Sequence, residues 1–247
     1  MIIGIVGKAG SGKDTVADFL VNNHQAFKMS FADPLKIFVQ QVMGFTTQQL
    51  WGPSKHRLEP HPSGQVVRVC NRCAWFGQTV IKDPYARMGL CPRCGIASPR
   101  EVPLTARLAL QTLGTDWGRS LLPTIWSDAG ISLATEVLAG SGAAAGVPHL
   151  PATKPEMIVF SDCRFLNEAE AIRDDGGGYI WRVEREGTKG AGGVGESHPS
   201  EAEQDSIEPD VTIANNSTLH GLKVAVASLI MDPPTWGGHI KVYATRE

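Results

Sequence analysis

With 247 residues and a net charge of −2, from 23 Lys and Arg against 25 Asp and Glu, the chain is long enough for one large α/β domain or a domain with an insertion, and too nearly neutral to wrap nucleic acid through a general field. Its 42% hydrophobic and 19% charged content suits a globular protein with a sizeable core, and no stretch approaches the ~20 apolar residues of a membrane span. Met1-Ile2-Ile3 lacks the basic start of a secretion signal, so the five Cys are expected in the cytoplasm as metal ligands or free thiols rather than disulfides.

In chain order, Ile2 to Val6 reads as a buried strand, and Thr15 to Val21 has a helical pattern. Between them lies Gly7-Lys8-Ala9-Gly10-Ser11-Gly12-Lys13, the strand–glycine loop–helix context of a phosphate-binding P-loop. Glycines let backbone N–H groups turn toward an anion with no Cβ in the way, the helix N-terminus adds partial positive charge, and Lys13 reaches outer phosphates as a point charge. One position departs from the pattern: Asp14 stands where a Ser or Thr holds Mg²⁺, with Thr15 directly after it.

A second short strand ends at Met29-Ser30-Phe31. Asp33 then reads as an N-cap, with Pro34 at the first helical position and Leu35, Phe38, Val39, Val42 and Met43 on one face. Asp33 is equally a candidate substrate contact, because strand ends in such a sheet face the ligand crevice. From Trp51 to Pro103 helical periodicity is lost. Within this stretch, Cys70-Asn-Arg-Cys73 and Cys91-Pro-Arg-Cys94 are separated by seventeen residues, the spacing of a four-Cys zinc ribbon, here placed at 60–103. Four thiolates leave no open coordination position, which points to a structural rather than a catalytic metal. Arg68, Arg72, Arg87 and Arg93 read as the ribbon's solvated surface in preference to a nucleic-acid reader.

Val102 to Gly114 reads as a helix with Pro103 near its start and Gly114 at its end. Arg107 and Gln111 lie one turn apart on it and, with Arg119, are candidates for binding a second phosphate and a base. A further helix is expected from Pro123 to Leu138, then a Gly/Ala/Pro-rich linker over 139–156. Met157 to Asp162 reads as an apolar strand ending in a carboxylate placed, like a Walker-B Asp, to hold Mg²⁺ or its waters. Cys163 reads as a structural thiol, and a helix runs on to Gly176. A strand at Tyr179–Val183 precedes a loop over 184–203 containing Arg185, Lys189 and His198, expected as a lid that presents Arg to the transferring phosphoryl group. A fifth strand, Asp210–Ala214, and a helix capped by Asn215 to Thr218 follow. Alternating strands and helices imply a five-stranded parallel sheet covered on both faces.

Gly-Lys-Ala-Gly-Ser-Gly-Lys-Asp-Thr, Ser-Phe-Ala-Asp-Pro-Leu-Lys, Leu-Gln-Thr-Leu-Gly-Thr-Asp, Asp-Cys-Arg-Phe-Leu-Asn-Glu-Ala and His-Pro-Ser-Glu occur in this order. Together they resemble the phage-type deoxynucleoside monophosphate kinases, over most of the chain outside the Cys insertion and the Gly/Ala linker. The resemblance implies a three-layer P-loop kinase domain and ATP-dependent phosphorylation of a dNMP in the cytoplasm, the host's if the chain is phage-encoded. It implies that Gly10, Ser11, Gly12, Lys13, Asp14 and Thr15 hold ATP and Mg²⁺, that Asp162 positions the metal, and that Arg182 or Arg185 stabilises the transferring group. It further implies an acceptor site of Asp33, Lys36, Arg107, Gln111, Arg119 and Arg164. Structural Zn²⁺ belongs to the ribbon, which the family core does not explain. A monomer and a homodimer are both compatible with this reading, and neither a membrane nor a nucleic acid is an expected partner. The rival readings are a P-loop kinase acting on dephospho-coenzyme A or on a hydroxymethylated base in DNA, and a nucleotide-binding regulatory module.

Overall fold

A computed structural model describes residues 1–73, 76–77, 89–96, 99–143, 145–187, 199–231 and 239–244. The chain divides into two compact units, Met1–Pro34 with Leu121–Glu247, and Leu35–Ser120. The first half contains β1 (Ile2–Val6), α1 (Lys13–Asn23), β2 (Ala26–Met29), α2 (Asp33–Met43), α3 (Thr47–Trp51), β3 (Val66–Val69), β4 (Phe76–Gly77), β5 (Arg100–Pro103) and α4 (Ala106–Gln111). The second half contains α5 (Ile125–Ala139), β6 (Met157–Phe160), α6 (Leu166–Asp174), β7 (Tyr179–Glu184), α7 (Pro199–Ser206), β8 (Val211–Ala214), α8 (Leu219–Met231) and β9 (Ile240–Tyr243). No helix of the described residues is long and apolar enough to cross a membrane.

The first unit is built on a sheet of order β2-β6-β1-β7-β8-β9, parallel throughout. It has six strands, where the sequence reading expects five. The additional strand, β9, lies at the edge and alternates half-buried Ile240 and Val242 with exposed Lys241 and Tyr243. Four residues with one solvated face carry too little periodicity to stand out in a sequence.

Because side chains alternate along a strand, each face of the sheet takes its own helices. Ile3, Ile5, Val159, Trp181, Val183, Val211 and Ile213 cluster with Val16, Ala17 and Leu20 of α1 and with Leu222, Val226 and Leu229 of α8. Burying each large apolar side chain of this kind is worth about 1.5–3 kcal/mol. On the other face, a Cβ at Gly4 would lie 2.5 Å from the Ile172 side chain of α6, so that helix packs directly over β1. Phe31 stacks on Phe160 with ring centroids 4.2 Å apart and occupies the space left by Gly130 of α5.

The second unit carries an antiparallel three-stranded sheet of order β4-β3-β5. A capping box starts α3: the Thr46 hydroxyl accepts the Gln49 N–H, and the Gln49 side chain accepts the Thr46 N–H.

Two helix boundaries differ from expectation. The segment from Val102 is strand up to Pro103, and the helix starts only after Thr105, whose hydroxyl accepts the Leu108 N–H at 3.2 Å. Gly114 does not stop it: a wide, π-type winding continues over Thr112–Arg119. A Cβ at Gly114 would lie 2.9 Å from Leu35, so this glycine serves close packing. Asp33 opens α2, and its carboxylate reaches back to accept the Ser30 N–H at 2.8 Å. Of the expected lid, residues 199–203 lie in α7, whereas Lys189 and His198 are outside the described residues, as is Arg87 of the ribbon.

Candidate functional site

The loop between β1 and α1 turns at Gly7, Gly10 and Gly12, with φ of 153°, 80° and 105°, values that side-chain-bearing residues rarely adopt. The Ser11 N–H closes a tight turn onto the Lys8 carbonyl at 3.1 Å, and α1 begins at Lys13. Neighbouring strands seat the loop. A Cβ at Gly7 would lie 2.5 Å from the Val183 carbonyl of β7, and one at Gly12 would lie 2.5 Å from the Asn215 amide nitrogen.

Asn215, buried just beyond β8, is a site residue that sequence reasoning treats only as part of a helix cap. Its side-chain amide donates to the Ser11 carbonyl at 2.8 Å, and its own N–H donates to the Glu184 carbonyl at 2.7 Å. The helix itself is capped by Thr218, whose hydroxyl accepts the Gly221 N–H. The only signal for Asn215 in the sequence is its position at the C-terminal end of a strand, where crevice residues gather.

A cleft of about 400 Å³ opens over the loop, lined by Gly10, Gly12, Lys13, Thr15, Arg185 and Asn215, among others. Arg185 also borders a second cleft of about 660 Å³, which includes Lys8, Arg182, Asp205, Lys241 and Tyr243. The Ser11 hydroxyl is buried and lacks a hydrogen-bond partner among the described residues. An orphan donor, the first N–H groups of a helix and a lysine on one glycine loop fit the oxygens of a phosphate chain.

The residues expected around this loop are placed differently from one another. Asp14 borders the cleft, but its exposed carboxylate pairs with Lys28 at 3.4 Å, and Lys28 also pairs with Asp18 at 3.4 Å. Asp162 lies two residues beyond Phe160, which pairs with Gly4, so it leaves the sheet at the same edge as the loop. Arg182 is committed elsewhere. Its guanidinium donates to the Gln204 carbonyl at 3.2 Å and to the Ile207 carbonyl, and it pairs with Asp205 at 3.9 Å. It thereby caps the C-terminal end of α7, where a cation is favoured. Lys8 of the loop pairs with the same Asp205 at 3.4 Å.

Asp33 and Lys36 are both buried; Lys36 lies 5.8 Å over the Trp51 ring. Arg107 and Gln111 are exposed one turn apart on α4, as their spacing predicts, and Arg119 ends the wide winding. Arg164 has an exposed side chain and lines neither cleft; its main-chain N–H donates to the Glu168 carboxylate at 2.8 Å. Burial pushes the Cys163 thiol well above its usual range, so it stays protonated and inert.

In the second unit, Cys70, Cys73, Cys91 and Cys94 bring their sulfurs within 4.8 Å of one another. The Cys70–Cys94 and Cys73–Cys91 separations are 3.8 and 3.6 Å. Those distances exclude disulfides, at about 2.05 Å. They match the ~3.8 Å edge of a tetrahedron with metal–sulfur bonds of about 2.3 Å. The Cys73 backbone N–H holds the Cys70 thiol below its ordinary value, the direction that metal binding requires.

These features define an α/β protein with a glycine loop on a parallel sheet and a separate four-Cys cluster. The chain is 28% identical over 232 residues to a protein of Acanthamoeba polyphaga mimivirus named "Putative deoxynucleotide monophosphate kinase", covering 93% of this chain and 96% of that one. The relationship is distant. No family model matches the chain.

Proposed function

We propose that the protein transfers the γ-phosphoryl group of ATP to a deoxynucleoside monophosphate, giving a dNDP and ADP. The observation that carries this reading is the glycine loop, whose Gly10, Gly12 and Lys13 line one cleft together with Arg185. The near-full-length similarity to a protein named for that activity supports it. Phosphoryl transfer needs little covalent help; it needs in-line placement and neutralised charge on the phosphoryl oxygens. Backbone N–H groups of Gly10 and Gly12 and the Lys13 ammonium hold the phosphate chain. Arg185 meets charge developing on the transferring group. Mg²⁺, when bound, neutralises phosphate charge, and Asp162 is the carboxylate proposed to hold it. Arg107, Gln111 and Arg119 of the second unit are proposed acceptor contacts. Asp33 and Lys36, both buried, are assigned to the packing of their turn and helix.

The test is ADP release with Mg-ATP against dNMPs, NMPs, dephospho-coenzyme A and hydroxymethylated DNA. Turnover is expected with one or more dNMPs. Signal only on DNA or on dephospho-coenzyme A would overturn the acceptor class. One observation favours a second reading, a nucleotide-binding regulatory module: Asp14 replaces the usual metal-binding hydroxyl and pairs with Lys28. ATP binding with no acceptor-dependent ADP release would establish that reading instead.

We also propose Zn²⁺ as the structural metal of the four-Cys cluster. Elemental analysis is expected to find about one zinc per chain. Because a small segment draws folding energy from its metal, stripping it with a chelator and a thiol reagent is expected to open residues 60–103 to proteolysis. Unchanged digestion after complete metal removal would refute a structural role.

A further inference from the structure

The ends of β2 and β6 carry a hydrogen-bonded pair that the phosphate loop does not use. Met29 and Phe160 are in register, so Ser30, one residue beyond Met29, and Asp162, two residues beyond Phe160, leave the sheet at the same end. The Ser30 hydroxyl lies 2.8 Å from Asp162 Oδ2 and 3.2 Å from the Ala32 nitrogen. The direction follows from chemistry. The Ala32 N–H can only donate, so the Ser30 oxygen accepts from it and turns its single proton toward the carboxylate.

The backbone of Ser30 is held as well. Its N–H donates to Asp33 Oδ2 at 2.8 Å, and its carbonyl accepts the Asp33 N–H at 2.9 Å. The next residue, Phe31, stacks on Phe160 with an 8° interplanar angle. The hydroxyl is therefore placed by main-chain bonds and a ring stack rather than by a free rotamer. A carboxylate needs such a partner, because rotation about the terminal torsion of Asp is broad. A donor on one oxygen orients the plane, and the carboxylate retains lone pairs for an ion or its waters.

We infer that Ser30 is a positioning residue that orients the Asp162 carboxylate toward the cation accompanying a bound nucleotide. Asp33, through its bonds to the Ser30 backbone, holds Ser30 in place. This rests on the proposed reading of Asp162. It gives the chain an ordered hydroxyl–carboxylate pair next to a loop in which Asp14 replaces the usual hydroxyl. Hydrogen-bonding partners of ligating groups commonly change metal affinity by about 10- to 100-fold when removed.

The test is calorimetry of ATP binding with and without Mg²⁺, on wild type, Ser30→Ala, Ser30→Thr and Asp162→Asn. Wild type is expected to bind ATP more tightly with Mg²⁺. Ser30→Ala is expected to keep its metal-free affinity and lose about tenfold of the tightening. Ser30→Thr is expected to restore that tightening, and Asp162→Asn to abolish it. Should the alanine variant melt early, Ser30→Cys, of similar shape and a weaker donor, is expected to show the same loss. Full tightening in Ser30→Ala, or no restoration by threonine, would overturn the inference. So would a wild type whose ATP affinity ignores Mg²⁺. Mg²⁺-tightened binding in a protein that phosphorylates no dNMP would overturn the acceptor assignment alone, with the role of Ser30 still decided by the binding data.

Discussion

Lys13→Ala is expected to lower phosphoryl transfer by about 10²- to 10³-fold, with the larger part in kcat. Lys13 opens α1 directly after Gly12 and lines the cleft over the loop, beside the helix N-terminus, where the proposed phosphate chain would meet it. A charge aimed where negative charge grows contributes most in the transition state, so its removal falls on kcat rather than on substrate affinity. The melting temperature is expected to stay within about 2 °C, because Lys13 is not part of the sheet's apolar core. Steady-state ADP release and a thermal scan read both quantities. Full turnover in Lys13→Ala would refute the phosphate-site assignment.

The second large effect separates two arginines three residues apart. Arg185→Ala is expected to cost about 10³-fold in kcat with little change in stability, the scale seen when an arginine stops stabilising a transferring phosphoryl group. Arg182→Ala is expected to act mainly on stability, lowering it by about 1–3 kcal/mol. Its guanidinium satisfies the carbonyls of Gln204 and Ile207 at the end of α7, and truncation leaves them without that donor. Kinetics and chemical denaturation on both variants, with Arg182→Lys as a control that restores charge but not the fork, distinguish the roles. A catalytic loss confined to Arg182→Ala, with denaturation unchanged, would reverse the assignment. The difference arises from strand geometry: Arg182 lies within β7 and Arg185 just beyond its end, so only the second borders both clefts.

The parts of this protein legible in the sequence are those whose physics is local. A glycine loop between an apolar strand and a helix needs only neighbouring residues, and its left-handed backbone at Gly10 and Gly12 follows from residue type. The two Cys-x-x-Cys knuckles likewise carry their own geometry, and all four sulfurs converge as the spacing predicts. Arg107 and Gln111 share an exposed side of a helix because helical spacing alone puts them there.

Contacts between distant segments were out of reach of that reasoning. Asn215 meets Ser11 across 204 residues, and Ser30 meets Asp162 across 132. No periodicity or spacing encodes such pairs; strand order and register bring them together. The same cause accounts for Arg182, which resembles a catalytic arginine in sequence and is drawn to the end of α7 only once β7 and α7 have packed. It accounts too for β9, a four-residue edge strand whose pairing with β8 comes from the sheet rather than from its own pattern. Local residue chemistry thus specified the glycine loop and the four-Cys cluster. Parallel strand pairing, which joins segments far apart in the chain at one sheet edge, selected the side chains that surround the loop.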